Sequence, residues 1–439
     1  MAYTKYSLTP ANNTAAPPDG APEGMLPSAV NDTMRDMMAQ IRDAGDGIRD
    51  GTYTMTAPKI TGGTITGITD LAIADGGTGA STAASARTNL GLDGFVNMKN
   101  RIINGAMVID QRNAGAVQTS PASNTYNLDR WLVNVGGGGF NVQQTPSTTE
   151  TGFATRVAAG FSNYLAVTST AVTSASNYNI RQLIEGFNTA DLAFGTASAK
   201  TITLSFWVYS SLTGTFGGSI QNSAGNRSYV YSYTIAAANT WQQVTATIPG
   251  DTSGTWIGAT NGIGLILYIA YSTAAGNAGA AGSWTGNDYR APTGQTNVVG
   301  TNGATFYITG VQLEVGSTAT SFDYRPYGTE LALCQRYYAK MNAGTGAYTG
   351  FGSGVAGATT TAYIFFKYPV TMRSSPTISS TSCGVQDGNS IFTVTISTTY
   401  AGQDTAFQAF TATGLTQFRP YVLTANNSTS AFVDFSSEL

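Results

Sequence analysis

The side chains that could do chemistry in this chain are carboxylates, because the sequence contains no histidine. Without histidine there is no Ser-His-Asp or Cys-His site and no imidazole ligand for a metal. Glycoside hydrolysis uses two carboxyl groups about 5–9.5 Å apart, and the acidic residues here stand singly, so that only folding could pair them. We therefore predict no catalytic residues and expect that the protein is not an enzyme. The carboxylates considered are Glu185, Asp191, Asp251, Asp288 and Glu314.

Metal and cofactor sites are not indicated by the remaining polar residues. Asp387 and Asn389 could offer oxygen ligands to Ca²⁺, but the DGN sequence that contains them is first of all a turn signal. Cys334 and Cys383 are too few for a disulfide framework and are predicted to be buried thiols. We expect neither a metal nor a cofactor.

Exposed aromatic residues are candidates for binding sugars, because a sugar ring can lay its C–H groups on an aromatic face. Trp284, Tyr289 and Arg290 lie in a long Gly/Ala-rich segment that is predicted to be a loop. Tyr348 and Asn427 lie in two later turns, where such residues give broad contact and adaptable hydrogen bonds. These five residues are the candidate receptor-binding residues.

Two aromatic rows on predicted strands allow more than one interpretation. Tyr229, Tyr231 and Tyr233 share one strand face, and so do Trp207 and Tyr209. Either row could stack on sugar rings, but packing in a sandwich core or at a subunit contact is the favoured interpretation.

The elements that must position these residues are mostly β-strands. Residues 200–211 place Ile202, Leu204, Phe206 and Val208 on one face and polar or aromatic residues on the other. Comparable runs with Gly- and Asn-rich turns recur through residues 100–330, which predicts a two-sheet sandwich. Residues 331–439 are predicted to form a second β-sandwich, because residues 362–370 and four later runs alternate in the same way.

The N-terminal segments have a different composition. Residues 1–26 are rich in proline and are predicted to be an extended arm. Within residues 27–48, Val30, Met34, Met37 and Ile41 follow heptad spacing, which is typical of either a trimeric seam or one amphipathic helix on a partner surface. Residues 51–99 are rich in Thr and Gly and have too narrow an apolar face for a monomeric core, so that a shaft shared by several copies is predicted.

Composition and charge exclude some partners. Charged residues make up 10% of the sequence and the net charge is −3, so that no electrostatic case exists for nucleic acid or an anionic membrane. No apolar run approaches the ~18 residues that span a bilayer, and no signal peptide is recognisable. We expect the protein to be made in a cytoplasm and released by a route other than secretion.

Several stretches resemble bacteriophage tail fibres. The resemblance rests on PEGMLPSAVNDTMRDMMAQIRD (residues 22–43), GGTGASTAASARTNLGL (76–92), NRIINGAMVIDQRN (100–113), YNLDRW (126–131) and the segment 306–338. It implies an N-terminal region that attaches to the virion and a central domain similar to jelly-roll carbohydrate-binding modules. Residues 331–439 resemble small fibre-tip domains only in a general way.

Together these observations predict a mostly all-β, fibrous homotrimer. Residues 1–50 form the virion-attachment arm and helix, 51–99 the shaft and joint, 100–330 the jelly-roll-like domain and 331–439 a β-sandwich tip. We expect a structural tail fibre in the virion, attached to a tail adaptor, nozzle or baseplate protein, that binds a host-surface glycan or outer-membrane protein. The alternatives are a tailspike-type polysaccharide depolymerase and a purely structural tail connector or decoration.

Overall fold

The computed structural model describes residues 26–49, 98–137, 139–146 and 160–439, together with residues 78, 80, 82, 85, 86, 89 and 90. The chain divides into two compact units, Met1–Ala86 and Arg87–Leu439, and each is considered by itself. The predicted arm and shaft lie outside the described residues, and so does most of the joint. No helix among the described residues is long and apolar enough to cross a membrane.

The first unit contains the predicted helix, α1 (Pro27–Arg49). Local pairs such as Asp32 with Arg35 (3.6 Å) and Arg42 with Asp46 (3.5 Å) lie along its surface. Val30, Met34, Met37 and Ile41, which we call the seam, are between 38% and 65% exposed. The helix is therefore confirmed, and the partner of its seam stays a prediction.

The second unit begins with a β-sandwich, as the alternation of residues 200–211 predicted. A six-stranded sheet has the order β1-β4-β5-β15-β7-β10, and a seven-stranded sheet has the order β13-β9-β8-β11-β6-β3-β2. β12 and β14 form a separate parallel pair. The strands are β1 (Gln118–Thr119), β2 (Thr125–Leu128), β3 (Trp131–Asn134), β4 (Phe140–Pro146), β5 (Asn163–Ser169), β6 (Tyr178–Glu185), β7 (Ile202–Ser210), β8 (Gly214–Gln221), β9 (Ser228–Ile235), β10 (Gln242–Ile248), β11 (Ile263–Ser272), β12 (Ala278–Gly279), β13 (Trp284–Thr285), β14 (Ala291–Pro292) and β15 (Thr305–Val315). Single 3₁₀ turns lie at Gly186–Asn188, Ala190–Leu192, Ala275–Asn277 and Val298–Gly300.

The side chains of the two aromatic rows pack against other residues of the first sandwich. Tyr229 and Tyr231 are buried in the core between the two sheets, and Tyr233 packs against that core. Tyr209 is buried on the opposite side of its sheet, where its ring stacks on Tyr307 at 5.0 Å between centroids. The favoured interpretation of these rows as packing residues is confirmed for these side chains.

A second sandwich follows the helix α2 (Tyr327–Gln335). Its three-stranded sheet has the order β16-β25-β19, and its seven-stranded sheet has the order β21-β20-β24-β17-β18-β23-β22. Cys383 lies in its core, and Cys334 lies on α2 in a smaller apolar cluster. Both are buried free thiols, as predicted. The strands are β16 (Tyr338–Asn342), β17 (Gly350–Ala358), β18 (Thr361–Lys367), β19 (Thr377–Thr381), β20 (Cys383–Gln386), β21 (Ile391–Thr393), β22 (Thr395–Ala401), β23 (Thr405–Thr411), β24 (Pro420–Ala425) and β25 (Phe432–Ser436). The fold class, mostly all-β, is confirmed.

Three of the segments that resembled tail fibres, residues 100–113, 126–131 and 306–338, meet at the junction between the two sandwiches. Asn104, in the first of them, accepts a hydrogen bond from the indole of Trp131 through its backbone oxygen (2.9 Å). Its own amide hydrogen is donated to the carboxylate of Glu330 in α2. The predicted domain boundary at 330/331 falls inside this helix, and the division into domains stays a prediction.

A buried charge network closes the same junction. The carboxylate of Glu438 accepts hydrogen bonds from Arg112 (2.7 Å) and from Arg130, whose guanidinium is completely buried and lies over the ring of Tyr337. A buried charge is tolerated when it is paired and hydrogen-bonded. The last residues of the second sandwich therefore bind directly to the first.

Candidate functional site

A groove lies on the outer face of the seven-stranded sheet in the second sandwich. In this sheet Gln386 on β20 is opposite Val422 on β24, and Val422 is opposite Ser353 on β17. Residues that are directly opposite point to the same face of a sheet, so that these three side chains form the floor of the groove. Its volume is about 700 Å³. The lining residues are Tyr348, Gly350, Ser353, Gly354, Gln386, Asp387, Gly388, Pro420, Tyr421, Val422 and Thr424.

Tyr348 provides the aromatic wall of this groove and is 56% exposed. The backbone on both sides of it is anchored: Thr349 accepts a hydrogen bond from the Ala425 amide (2.9 Å), and Ala347 accepts one from Ser428 (3.1 Å). The Thr349 hydroxyl also donates to the Ala343 and Gly346 carbonyls, each at 2.9 Å. The ring is therefore held on a fixed turn while its side chain stays accessible.

Asp387 forms the charged end of the groove. One of its carboxylate oxygens accepts hydrogen bonds from the amides of Ser390 (2.9 Å) and Asn389 (3.0 Å), and the other lies 3.1 Å from Arg419. The hydrogen bonds from Ser390 and then Asn389 lower the pKa of this carboxyl group. Asp387 thus acts as the turn residue that the sequence favoured. Among the residues that the structure describes, no three potential metal ligands of the His, Cys, Asp or Glu type come together.

Asn427 lies in the turn after β24 and is exposed, with a φ of 48°. This positive φ is typical of asparagine in a tight turn. The residue is not part of the lining of the groove. The structure therefore places Tyr348 in the groove and Asn427 in a neighbouring turn, and their receptor roles stay predictions.

The loop of residues 273–297 is not an exposed arch, because much of it packs against the first sandwich. Trp284 lies in β13, where its ring packs against Tyr229 (5.4 Å), Trp256 (5.5 Å) and Phe194 (5.8 Å). Its indole nitrogen donates to the carbonyl of Pro249 (2.8 Å). Trp284 is therefore half-buried as a packing residue, contrary to the expected exposed position.

Tyr289 and Arg290 are also half-buried, and their side chains make contacts of their own. The ring of Tyr289 lies on Gly279, where an added Cβ would stand only 2.1 Å from it. Arg290 is paired with Asp288 at 2.6 Å. The predicted cluster is therefore dispersed over several local contacts, and its receptor role stays a prediction.

The carboxylates considered for catalysis are each engaged by other groups. Glu185 accepts hydrogen bonds from Arg336 (2.6 Å) and Tyr337 (2.5 Å). Burial opposes ionisation of Glu185, but these two hydrogen bonds prevail and lower its pKa. The remaining contacts are Asp191 with Arg101 (2.7 Å), Asp251 with Arg227 (2.5 Å), Asp288 with Arg290 (2.6 Å) and Glu314 with the Thr320 hydroxyl (2.6 Å).

Sequence reasoning missed the groove itself, because its walls come from residues far apart in the chain. The turn at Tyr348, the end of β20 and the middle of β24 meet only through strand pairing. The signal available in the sequence was the alternation in β17 and β24. It predicts which residues share one face of each strand, but not which strands lie next to each other.

Comparisons with known proteins give structural similarities. No protein-family model and no curated protein match the chain. The enzymatically active domain of bacteriophage CBA120 tailspike protein 4 is 12% identical with a TM-score of 0.28, over 50% of this chain and 22% of that one, so that the chain spans about a fifth of it. The family 11 carbohydrate-binding module of Clostridium thermocellum, solved with a tetrasaccharide, is 13% identical with a TM-score of 0.21, over 45% and 95%.

A third similar structure contains the CBM22-1 and GH10 modules of Clostridium thermocellum endo-1,4-β-D-xylanase 10B, solved with xylohexaose. It is 13% identical with a TM-score of 0.24, over 45% of this chain and 28% of that one. The prediction that the chain is not an enzyme is contradicted by these findings, because they include an enzymatically active tailspike domain and a xylanase. We therefore correct that prediction. The similar structures include a phage tailspike domain and carbohydrate-binding modules, but similarities this distant do not establish a shared function.

Proposed function

We propose that this protein is a bacteriophage tail fibre that binds a glycan of the host surface in the groove beside Tyr348. The observation that carries the proposal is an accessible tyrosine ring, held on an anchored turn, next to neutral hydrogen-bonding side chains. That combination suits a sugar, because the ring covers the apolar face of a sugar while polar groups bind its hydroxyls.

The polar lining of the groove matches a neutral polyol. Gln386 offers both a donor and an acceptor, and the hydroxyl of the exposed Ser353 can do either. The one carboxylate in the lining, Asp387, is paired with Arg419, so that the groove has no large net charge. A neutral glycan therefore fits this chemistry better than a polyanion does.

The role as a tail fibre rests on the sequence resemblance and on the exposed seam of α1. In this proposal residues 1–50 attach to a tail adaptor, nozzle or baseplate protein, and three copies associate along the shaft. Three weak glycan contacts on one fibre would then add through effective concentration. The protein would be located in the virion after assembly in the host cytoplasm.

The test is binding of the purified full chain to an immobilised panel of bacterial surface polysaccharides. For any polysaccharide that binds, Tyr348→Ala should weaken the affinity roughly 2- to 13-fold per site, since an aromatic contact contributes about 0.5–1.5 kcal/mol beyond its area. Tyr327→Ala is the matched control, because Tyr327 is a similarly exposed tyrosine (63%) that does not line the groove.

Two results would reject the proposed site: no polysaccharide in the panel binds, or Tyr348→Ala binds as well as the unchanged chain. The same reactions should be assayed for new reducing ends. Their appearance would add hydrolysis to binding and would lead us to the tailspike-type alternative.

A further inference from the structure

The outer face of the same seven-stranded sheet also carries a row of exposed apolar side chains. Phe365 on β18 is opposite Ser353 on β17 and Phe407 on β23, and Phe407 is opposite Tyr400 on β22. Val422, on the other side of Ser353, belongs to the floor of the groove. We call Phe365, Phe407 and Tyr400 the apolar row, and each is between 40% and 59% exposed.

The aromatic part of the row is poorly suited to sugars. Phe407 stacks on Tyr363 with ring centroids 5.1 Å apart and an angle of 5° between the rings, so that each ring covers one face of the other. Phenylalanine also has no hydroxyl with which to bind a sugar. A row that consists mainly of phenylalanine therefore fits an apolar protein surface better than a glycan.

The exposed apolar area of the row reaches the size of a functional surface patch. An aromatic side chain has roughly 150–250 Å² to bury, so that the three aromatic residues of the row leave on the order of 300 Å² exposed. The largest apolar patch of a typical monomer is about 300–600 Å² and is often functional. A stable interface buries roughly 800 Å² on each partner, and the row would supply its apolar centre.

The near absence of charge on this face allows a partner identical to the chain itself. Among the outward-facing strand residues that the structure describes on this sheet, the charged one is Lys367, which lies at the end of β18. Two such faces can therefore approach each other without strong like-charge repulsion. The seam of α1 is a second, separate surface of a kind that associates with its own copies.

We propose that the apolar row packs against the same sandwich of a second copy of this chain. The proposal rests on the oligomer included in the proposed function and is independent of the glycan. The row occupies β18, β22 and β23, while the groove occupies β17, β20 and β24, so that the second copy borders the groove and leaves Tyr348 accessible.

The test is photo-crosslinking of the full chain with p-benzoylphenylalanine placed at position 365. Illumination should give covalent multimers, and mass spectrometry should map the second end of the crosslink to residues 350–425 of another copy. The matched control places the same group at position 172, because Val172 is 69% exposed but lies in the first sandwich. That position should give at most traces of multimer.

A second measurement tests how much the apolar row contributes to the affinity of the chain for its own copies. The double substitution Phe365→Ser and Phe407→Ser should weaken self-association at least tenfold in sedimentation, whereas Val172→Ser should leave it unchanged. An oligomer that gives no crosslink at position 365 would overturn the proposal and leave the proposed fibre intact. A chain that is monomeric at micromolar concentration would overturn both this proposal and the oligomer, while glycan binding is scored separately through Tyr348→Ala.

Discussion

Removal of the Glu438 carboxylate is the sharpest test of how the two sandwiches are held together. In the variant Glu438→Ala, Arg130 loses its carboxylate partner while its side chain stays 1% exposed. Its remaining hydrogen bond goes to the Leu183 carbonyl, and its Nε has no partner among the described residues. Arg112 is better placed to recover water, because its side chain is 15% exposed.

The expected cost follows from this burial. Removing one partner of a buried ion pair costs about 3–5 kcal/mol, because the other charge is left uncompensated. The matched control is Asp191→Asn, which removes an ion pair with Arg101 whose aspartate is 46% exposed. An exposed pair of this kind contributes about 0–1 kcal/mol. The two variants should therefore differ by at least about 2 kcal/mol in the free energy of unfolding.

The assay is urea unfolding at one fixed protein concentration, followed by two signals. The sequence has five tryptophans, and all of them lie between residues 131 and 284, so that their fluorescence reports on the first sandwich. Far-ultraviolet circular dichroism reports on both sandwiches. In Glu438→Ala the two curves should separate, because the second sandwich loses its attachment to the first.

The reasoning would be refuted if Glu438→Ala cost less than 1 kcal/mol and its two curves stayed superimposed. That outcome would mean that apolar contacts around α2, and not the buried charges, hold the junction. A conservative variant, Glu438→Gln, should lower the free energy of unfolding by an amount between those of Glu438→Ala and Asp191→Asn, since it keeps an acceptor for the arginines but removes the charge.

Two further outcomes are expected. Burial raises the pKa of Tyr126 to about 12, above its value of about 10 in an unfolded chain. The contribution of Tyr126 to stability should therefore be complete below pH 10 and fall as the pH rises toward 12. Urea unfolding midpoints at pH 8 and pH 11 will check this, and an unchanged midpoint would contradict it. Trp284→Ala should cost about 1.5–2.5 kcal/mol, roughly half the ~3–5 kcal/mol of a fully buried aromatic residue, and leave polysaccharide binding intact. Lost binding at unchanged stability would return Trp284 to the list of receptor residues.

The groove and the apolar row explain why one sheet face can serve two purposes. Strands β17, β24 and β20 present the outward side chains of Ser353, Val422 and Gln386, which are smaller than the neighbouring aromatic side chains and leave room for a ligand. Strands β18, β22 and β23 carry bulky apolar ones. In our proposals the first half binds the glycan and the second half binds another copy, so that each site lies beside a subunit boundary.

Some features of this protein are determined by the sequence alone. The heptad spacing of Val30, Met34, Met37 and Ile41 predicted α1 within one residue of its observed end. The alternation through β7 predicted which side chains enter the first core. Both predictions succeed because helix and strand periodicities are local properties of the backbone.

Other features were decided only by the tertiary structure. Both faces of β18 are apolar, so that alternation could separate Phe365 from Phe366 but could not say which one is buried. From the sequence, Trp284 was predicted to be an exposed loop residue. In the fold, three aromatic rings from distant segments pack against it. The groove brings Tyr348 and Asp387 together through strand pairings whose register is set by packing of the whole sheet. Such long-range pairings have no signature in a local stretch of sequence, and they are what assembles the candidate site.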